Sequence, residues 1–188
     1  QQSSKNFKII EIHKKLPHAI IKNFNLGYDP KLFTSKLLSK YFINNNLVSI
    51  DINLIDQIFR FKEKHTKPFY SLDKKIVGEA YSSKISKVVK FLKNIKADYC
   101  FISAPENVAW LLNIRGYDNP NSPIANARLI LNKKKELFLI ANENNLKNLV
   151  LDKKIKKNQV LLIKSLPKFL NNLEGRNFII DSKTCSIF

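Results

Sequence analysis

His13, His18, His65, Cys100 and Cys185 are the residues of this chain best suited to hold a metal ion or act as a nucleophile. Metal binding and nucleophilic catalysis both need such groups to converge, and their spacing gives no sign of it. No histidine has a carboxylate or cysteine at ligand spacing, and the chain contains no HExxH, no CxxC and no glycine-rich phosphate loop. Ser103 follows an apolar run but lacks the glycine elbow and histidine partner that would activate a hydroxyl. Cys100 falls inside that run (YCFIS), where a thiol is inert packing rather than a nucleophile. Gly27 and Gly116 read as single turn glycines, not a dinucleotide fingerprint.

One segment stands apart. Residues 110–118 (WLLNIRGYD) hold the sole tryptophan and an arginine followed by glycine, and they open into a polar, proline-containing loop. In one reading Trp110, Arg115 and Asp118 form a contact site, with Arg115 pairing with a carboxylate across a domain or subunit boundary. In the other, Trp110 is core and Arg115 closes a helix C-terminus, favoured there by the helix dipole. The residues alone leave both open.

Periodicity supplies the elements that would position this segment. Residues 7–12 (FKIIEI) and 26–30 (LGYDP) read as strands. A helix follows with Asp29 at its start and Phe33, Leu37, Leu38, Tyr41 and Phe42 on one face. A strand at 47–50 completes a strand, helix, strand unit. Residues 53–59 predict a short helix with Leu54, Ile55, Ile58 and Phe59 inward. From 60 to 73 the apolar period lapses and Pro68 appears, which marks a domain boundary. Ser82 or Ser83 then starts a helix reaching about 96, with Ile85, Val88, Val89, Leu92 and Ile95 buried. A buried strand at 99–103, a helix opened by Pro105, a loop over 113–123 and a hairpin at 128–131 and 136–140 come next. A helix at 143–151, a strand at 160–164, a helix at 167–173 and a strand at 178–181 complete the pattern. The expected fold is α/β, a three-layer sandwich with a mixed sheet.

Composition narrows the function. The 188 residues carry 33 Lys+Arg against 15 Asp+Glu, a formal net charge of +18. Only Arg60, Arg115, Arg128 and Arg176 supply the guanidinium fork that suits phosphates and base edges, and the lysines are scattered among abundant asparagines. This points to a coding bias, and a nucleic-acid partner is not expected. Two cysteines 85 positions apart suit a reducing cytoplasm. No run reaches the ~18 apolar residues of a membrane span, so a soluble chain without a membrane partner is expected. The lack of methionine and the opening Gln1-Gln2 read as a cut end.

At residues 109–123 (AWLLNIRGYDNPNSP) the chain resembles the Xaa-Pro aminopeptidases of the creatinase and prolidase superfamily. Collinear phrases extend the resemblance: LGYDP at 26–30, NLIDQIF at 53–59, GEAYSSKISKV at 78–88 and SAPENVAWLL at 103–112. Phe59 stands where that family commonly has Trp. The resemblance implies two related creatinase N-terminal-type domains, the first truncated over 1–67 and the second spanning 68–188, ahead of a pita-bread catalytic domain outside this chain. It implies two manganese ions in that missing domain, peptide substrates with a penultimate proline, and a homo-oligomer. No catalytic or metal-binding residue maps onto this chain, which the resemblance makes a non-catalytic part shaping the active-site entrance. The same fold could also serve a non-enzymatic protein that binds peptide, histone or nucleic acid.

Overall fold

A computed structural model describes residues 9–11, 16–59, 67–73 and 75–187. The chain forms two compact units, Gln1–Lys62 with Ser182–Phe188, and Glu63–Asp181.

In the first unit, β1 (Asn25–Tyr28) and β2 (Asn46–Ser49) pair in parallel, Leu26 opposite Leu47. A parallel pair needs a crossover, and α1 (Ser35–Phe42) provides it. Thr34, not Asp29, caps α1 by accepting from Leu37 N at 3.2 Å. Asp29 instead accepts from Lys31 N at 2.9 Å and from the Asn53 side chain at 3.0 Å, so it closes the preceding turn and steadies the start of α2 (Leu54–Ile58). The helix expected there is present, but its apolar side chains are not inward. Leu54, Ile55, Ile58 and Phe59 are all exposed, Ile58 by 84%. The four apolar positions do share one side of the helix, with Asp56 and Gln57 on the other, but a shared side is buried only where another element covers it. Buried Leu38 and the edge-on rings of Tyr28, Phe33 and Phe42 form the apolar centre of this unit. The chain returns to it at Ile187, whose N–H donates to Phe33 O at 3.0 Å. Most of the expected strand at 7–12 lies outside the described residues, and 9–11 have no regular structure.

The second unit is built on a five-stranded mixed sheet of order β8-β7-β6-β4-β9. Its strands are β4 (Tyr99–Ile102), β6 (Arg128–Asn132), β7 (Leu137–Ile140), β8 (Val160–Leu161) and β9 (Phe178–Ile180). β6 runs antiparallel to β4 and β7, while β8 and β9 lie parallel to β7 and β4. Strand alternation divides the apolar residues between two layers. Leu129, Leu131, Leu137 and Leu139 join a core with Ile85 and Val89 of α3 (Tyr81–Asn94), Val108 and Leu112 of α4 (Pro105–Leu112), and Leu146 and Leu149 of α5 (Glu143–Leu151). Ile130 and Ile140 face the opposite way, onto Leu166 and Phe169 of α6 (Leu166–Asn171). Each such leucine or isoleucine contributes about 1.5–3 kcal/mol by leaving water. The expected three-layer α/β sandwich with a mixed sheet is therefore what the chain forms.

Several expectations shift. Helix α3 begins at Tyr81 behind Ala80, so neither Ser82 nor Ser83 caps it, and β4 is half-buried rather than buried. Ile95 lies beyond the last helical residue of α3 and is exposed, because the C-cap backbone leaves the helical course. The strand expected at 160–164 stops at Leu161 and turns into a single helical turn, Ile163–Ser165. The loop expected from 113 contains β5 (Ile114–Arg115), paired antiparallel with β3 (Tyr70–Ser71).

Candidate functional site

The tryptophan segment begins at the end of α4. Pro105 opens that helix at a position where no N–H is required, and Asn113 ends it in the left-handed conformation, φ 54°. Asparagine tolerates that backbone better than most residues and brings a side-chain amide to the same place. The Asn113 amide nitrogen donates to Glu79 O at 2.9 Å, and its oxygen accepts from Lys84 Nζ at 2.6 Å. Lys84 also donates to the Trp110 carbonyl. Its ammonium lies 4.1 Å from the centre of the Trp110 ring, within range of an ammonium–π attraction.

Lys84 is 4% exposed, while Trp110 above it is 61% exposed. Trp110 is thus not core, as one reading of the sequence had it. One face of the indole lies against a buried cation. Burial holds the Lys84 ammonium below the ordinary lysine value; Glu79 partly offsets this and Arg115 adds to it. Lys154 is lowered by burial and by Lys84, and its nitrogen lies 3.8 Å from the centre of the Tyr81 ring. Glu79 itself is held below the usual carboxylate range, chiefly by Lys87 at 2.8 Å and the Ser83 hydroxyl at 2.5 Å.

Arg115 Nη1 donates to Ile114 O at 2.8 Å and, more weakly, to Ala109 O at 3.4 Å in the last turn of α4. It makes no ion pair among the described residues. Asp118 turns inward: Oδ2 accepts from Asn126 N at 2.8 Å and Oδ1 from the Asn145 amide at 2.9 Å. Trp110 and Arg115 therefore share the end of α4, whereas Asp118 braces the loop behind them. Sequence reasoning missed Lys84, Asn113 and Asn145. Lys84 had a readable signal: it lies four positions before Val88 on the apolar stripe, where a solvated lysine does not belong.

The remaining candidates are separate. His18 Nδ1 contacts Lys40 O at 3.2 Å, and the Cys100 thiol on β4 is pushed up by burial. His13 and His65 lie outside the described residues.

A mixed α/β sandwich with helices on both faces defines the structural class, and comparison with known proteins gives it a family. Residues 61–188 match the Creatinase/Prolidase N-terminal domain, and the chain belongs to that family. It is 32% identical over 124 residues to Xaa-Pro aminopeptidase app-1 of Caenorhabditis elegans, an alignment covering 63% of this chain and 20% of that protein. Against Xaa-Pro aminopeptidase 2 of Rattus norvegicus it is 30% identical over 108 residues, covering 53% of this chain and 16% of the relative. The matched region thus spans about a fifth of these relatives. The crystal structure of an X-prolyl aminopeptidase from Caenorhabditis elegans, described as a cytosolic enzyme with a di-nuclear active site, superposes with a TM-score of 0.67 at 24% identity. That match covers 92% of this chain and 29% of the other, and it supports the fold.

The described residues do not fit a two-metal centre. No group of three or more His, Cys, Asp or Glu among them could hold an ion. No helix among them is long and apolar enough to cross a membrane.

Proposed function

We propose that this chain is a non-catalytic amino-terminal region of a metal-dependent Xaa-Pro aminopeptidase, which releases the residue before a penultimate proline. Residues 1–67 belong to the end of a first creatinase N-terminal-like domain and 68–188 to the second. The two metal ions, manganese by family resemblance, belong to a separate catalytic domain. The observation that carries this reading is the family match together with relatives about 30% identical that bear the Xaa-Pro aminopeptidase name. Within the chain, Trp110 and Arg115 are the contact residues toward the catalytic domain or a partner subunit in a cytoplasmic homo-oligomer. Asp118 holds their loop in place. An exposed indole beside an arginine is the composition of an interface anchor rather than of a solvated surface.

The test is to assay the polypeptide encoded by the longer reading frame on Xaa-Pro peptides with and without manganese, next to these 188 residues alone. Activity in the long form only, lost on chelation, supports the proposal. Cleavage by the short form, or a long form without metal ligands and without activity, rejects it.

A further inference from the structure

We infer that Lys84 is the positioning residue for the Trp110–Arg115 contact: its buried ammonium clamps the inner face of the indole and presents the outer face, ready-oriented, to a partner surface that is apolar beside a carboxylate. The inference rests on the proposed interface role of these two residues and names what holds them and what they fit.

The geometry points to Lys84 for three reasons. First, its nitrogen reaches the Trp110 carbonyl, the Trp110 ring at 4.1 Å and Asn113 Oδ1 at 2.6 Å, so one group holds both the backbone and the side chain of the same tryptophan. Second, Asn113 is fixed in turn by its bond to Glu79 O, which anchors the clamp to the segment leading into α3. Third, a buried ammonium costs free energy that an apolar residue on the same stripe would not. Leucine or methionine at 84 would complete the core of α3, yet neither could order an indole that is 61% exposed. A large side chain left free on a surface loses rotamer entropy when it docks; one already held loses less and binds more tightly.

The partner chemistry follows from what is left uncommitted. The outer indole face is exposed. Arg115 uses Nη1 on carbonyls of its own helix end, leaving Nε and Nη2 without a hydrogen-bond partner among the described residues. A carboxylate can take both of these in a fork, next to an apolar group on the ring.

Trp110 is the sole tryptophan of this sequence, so its fluorescence reports the clamp directly. Lys84→Met, of similar length and apolar, is compared with wild type by time-resolved anisotropy and acrylamide quenching, with far-UV circular dichroism confirming the fold. Faster local motion and stronger quenching of Trp110 are expected, with Lys84→Arg restoring part of the restraint. Asn113→Gly keeps the left-handed backbone but removes the amide, and serves if Lys84→Met fails to fold; it should loosen the indole in the same direction. Unchanged anisotropy and quenching in the folded variants would overturn the inference. In the long polypeptide, kcat/KM on an Xaa-Pro peptide should fall about fivefold in Lys84→Met, the loss of roughly one contact, with little further loss when Trp110→Ala is added. If Trp110 loosens while the activity of both variants stays at the wild-type level, Lys84 still holds the ring and it is the interface reading that fails.

Discussion

The side-chain amide of Asn145 donates to the Asp118 carboxylate at 2.9 Å and ties the loop behind β5 to helix α5. The same nitrogen donates to Lys67 O at 3.1 Å; the backbone carbonyl of Asn145, which alanine would keep, accepts from Phe69 N at 2.7 Å. Asn145 is 3% exposed, so the partners it leaves behind would not regain water fully. Asn145→Ala should therefore destabilise the chain by about 1–3 kcal/mol, measured by urea unfolding. A loss within a few tenths of a kcal/mol would mean that the loop is held by other means.

Gly116 separates Arg115 from Tyr117 at a point where two pieces of chain nearly touch. A Cβ there would meet Ala125 Cα at 2.9 Å and the Phe69 ring at 2.9 Å. Phe69 is fully buried and Ala125 offers only backbone, so neither can move aside cheaply. Gly116→Ala should cost about 1–3 kcal/mol by overpacking, and thermal unfolding should show a lower midpoint. An unchanged midpoint would show that the β3–β5 ribbon can shift to make room.

How far the sequence could be read depended on whether an element carried its own reason to form. The β6–β7 hairpin was legible because its apolar runs flank a polar turn, and the structure adds the cause: Asn132 Oδ1 accepts from Lys134 N and Glu136 N, both at 2.9 Å. Helix α4 was legible from Pro105. By contrast, β5 is two residues long and exists only because β3 lies beside it, a relation between positions more than 40 apart that no local pattern announces. The outward face of α2 was misread because period reports which residues share a face, not what covers that face. At the candidate site, Trp110 and Arg115 were visible as residue types, while Lys84 was marked only by its place on the apolar stripe of α3, a signal easily passed over in a chain so rich in lysine.

Acid should weaken the second unit through identifiable groups. Asp98 is held below its ordinary value of 3.8 by Lys133 at 2.7 Å and by the Asn177 N–H at 3.1 Å, and Glu79 below 4.5 by Lys87 and Ser83. A carboxyl with a depressed folded pKa takes up protons more readily in the unfolded chain. Its contribution is full above the unfolded value and is lost as pH falls through the folded one. Stability measured by denaturant titration should be flat with respect to these two groups above about pH 5 and decline below about pH 4. Asp98→Asn should remove part of that decline; a variant with the same acid slope as wild type would exonerate Asp98.

The exposed face of α2 leads to the opposite kind of expectation. Leu54, Ile55 and Ile58 are each more than 60% exposed, so replacing them should disturb little packing in their own unit. Side chains already in water gain nothing from burial, and surface substitutions away from caps and buried pairs usually stay within about 0.5 kcal/mol. The triple variant Leu54→Ser, Ile55→Ser, Ile58→Ser retains Asn53, whose side chain caps the helix at Ile55 N and bonds Asp29. It should keep the wild-type melting temperature to within a few degrees while binding less of a hydrophobic dye, because these residues form one contiguous apolar turn. A large drop in melting temperature would show that this face is covered in the free chain.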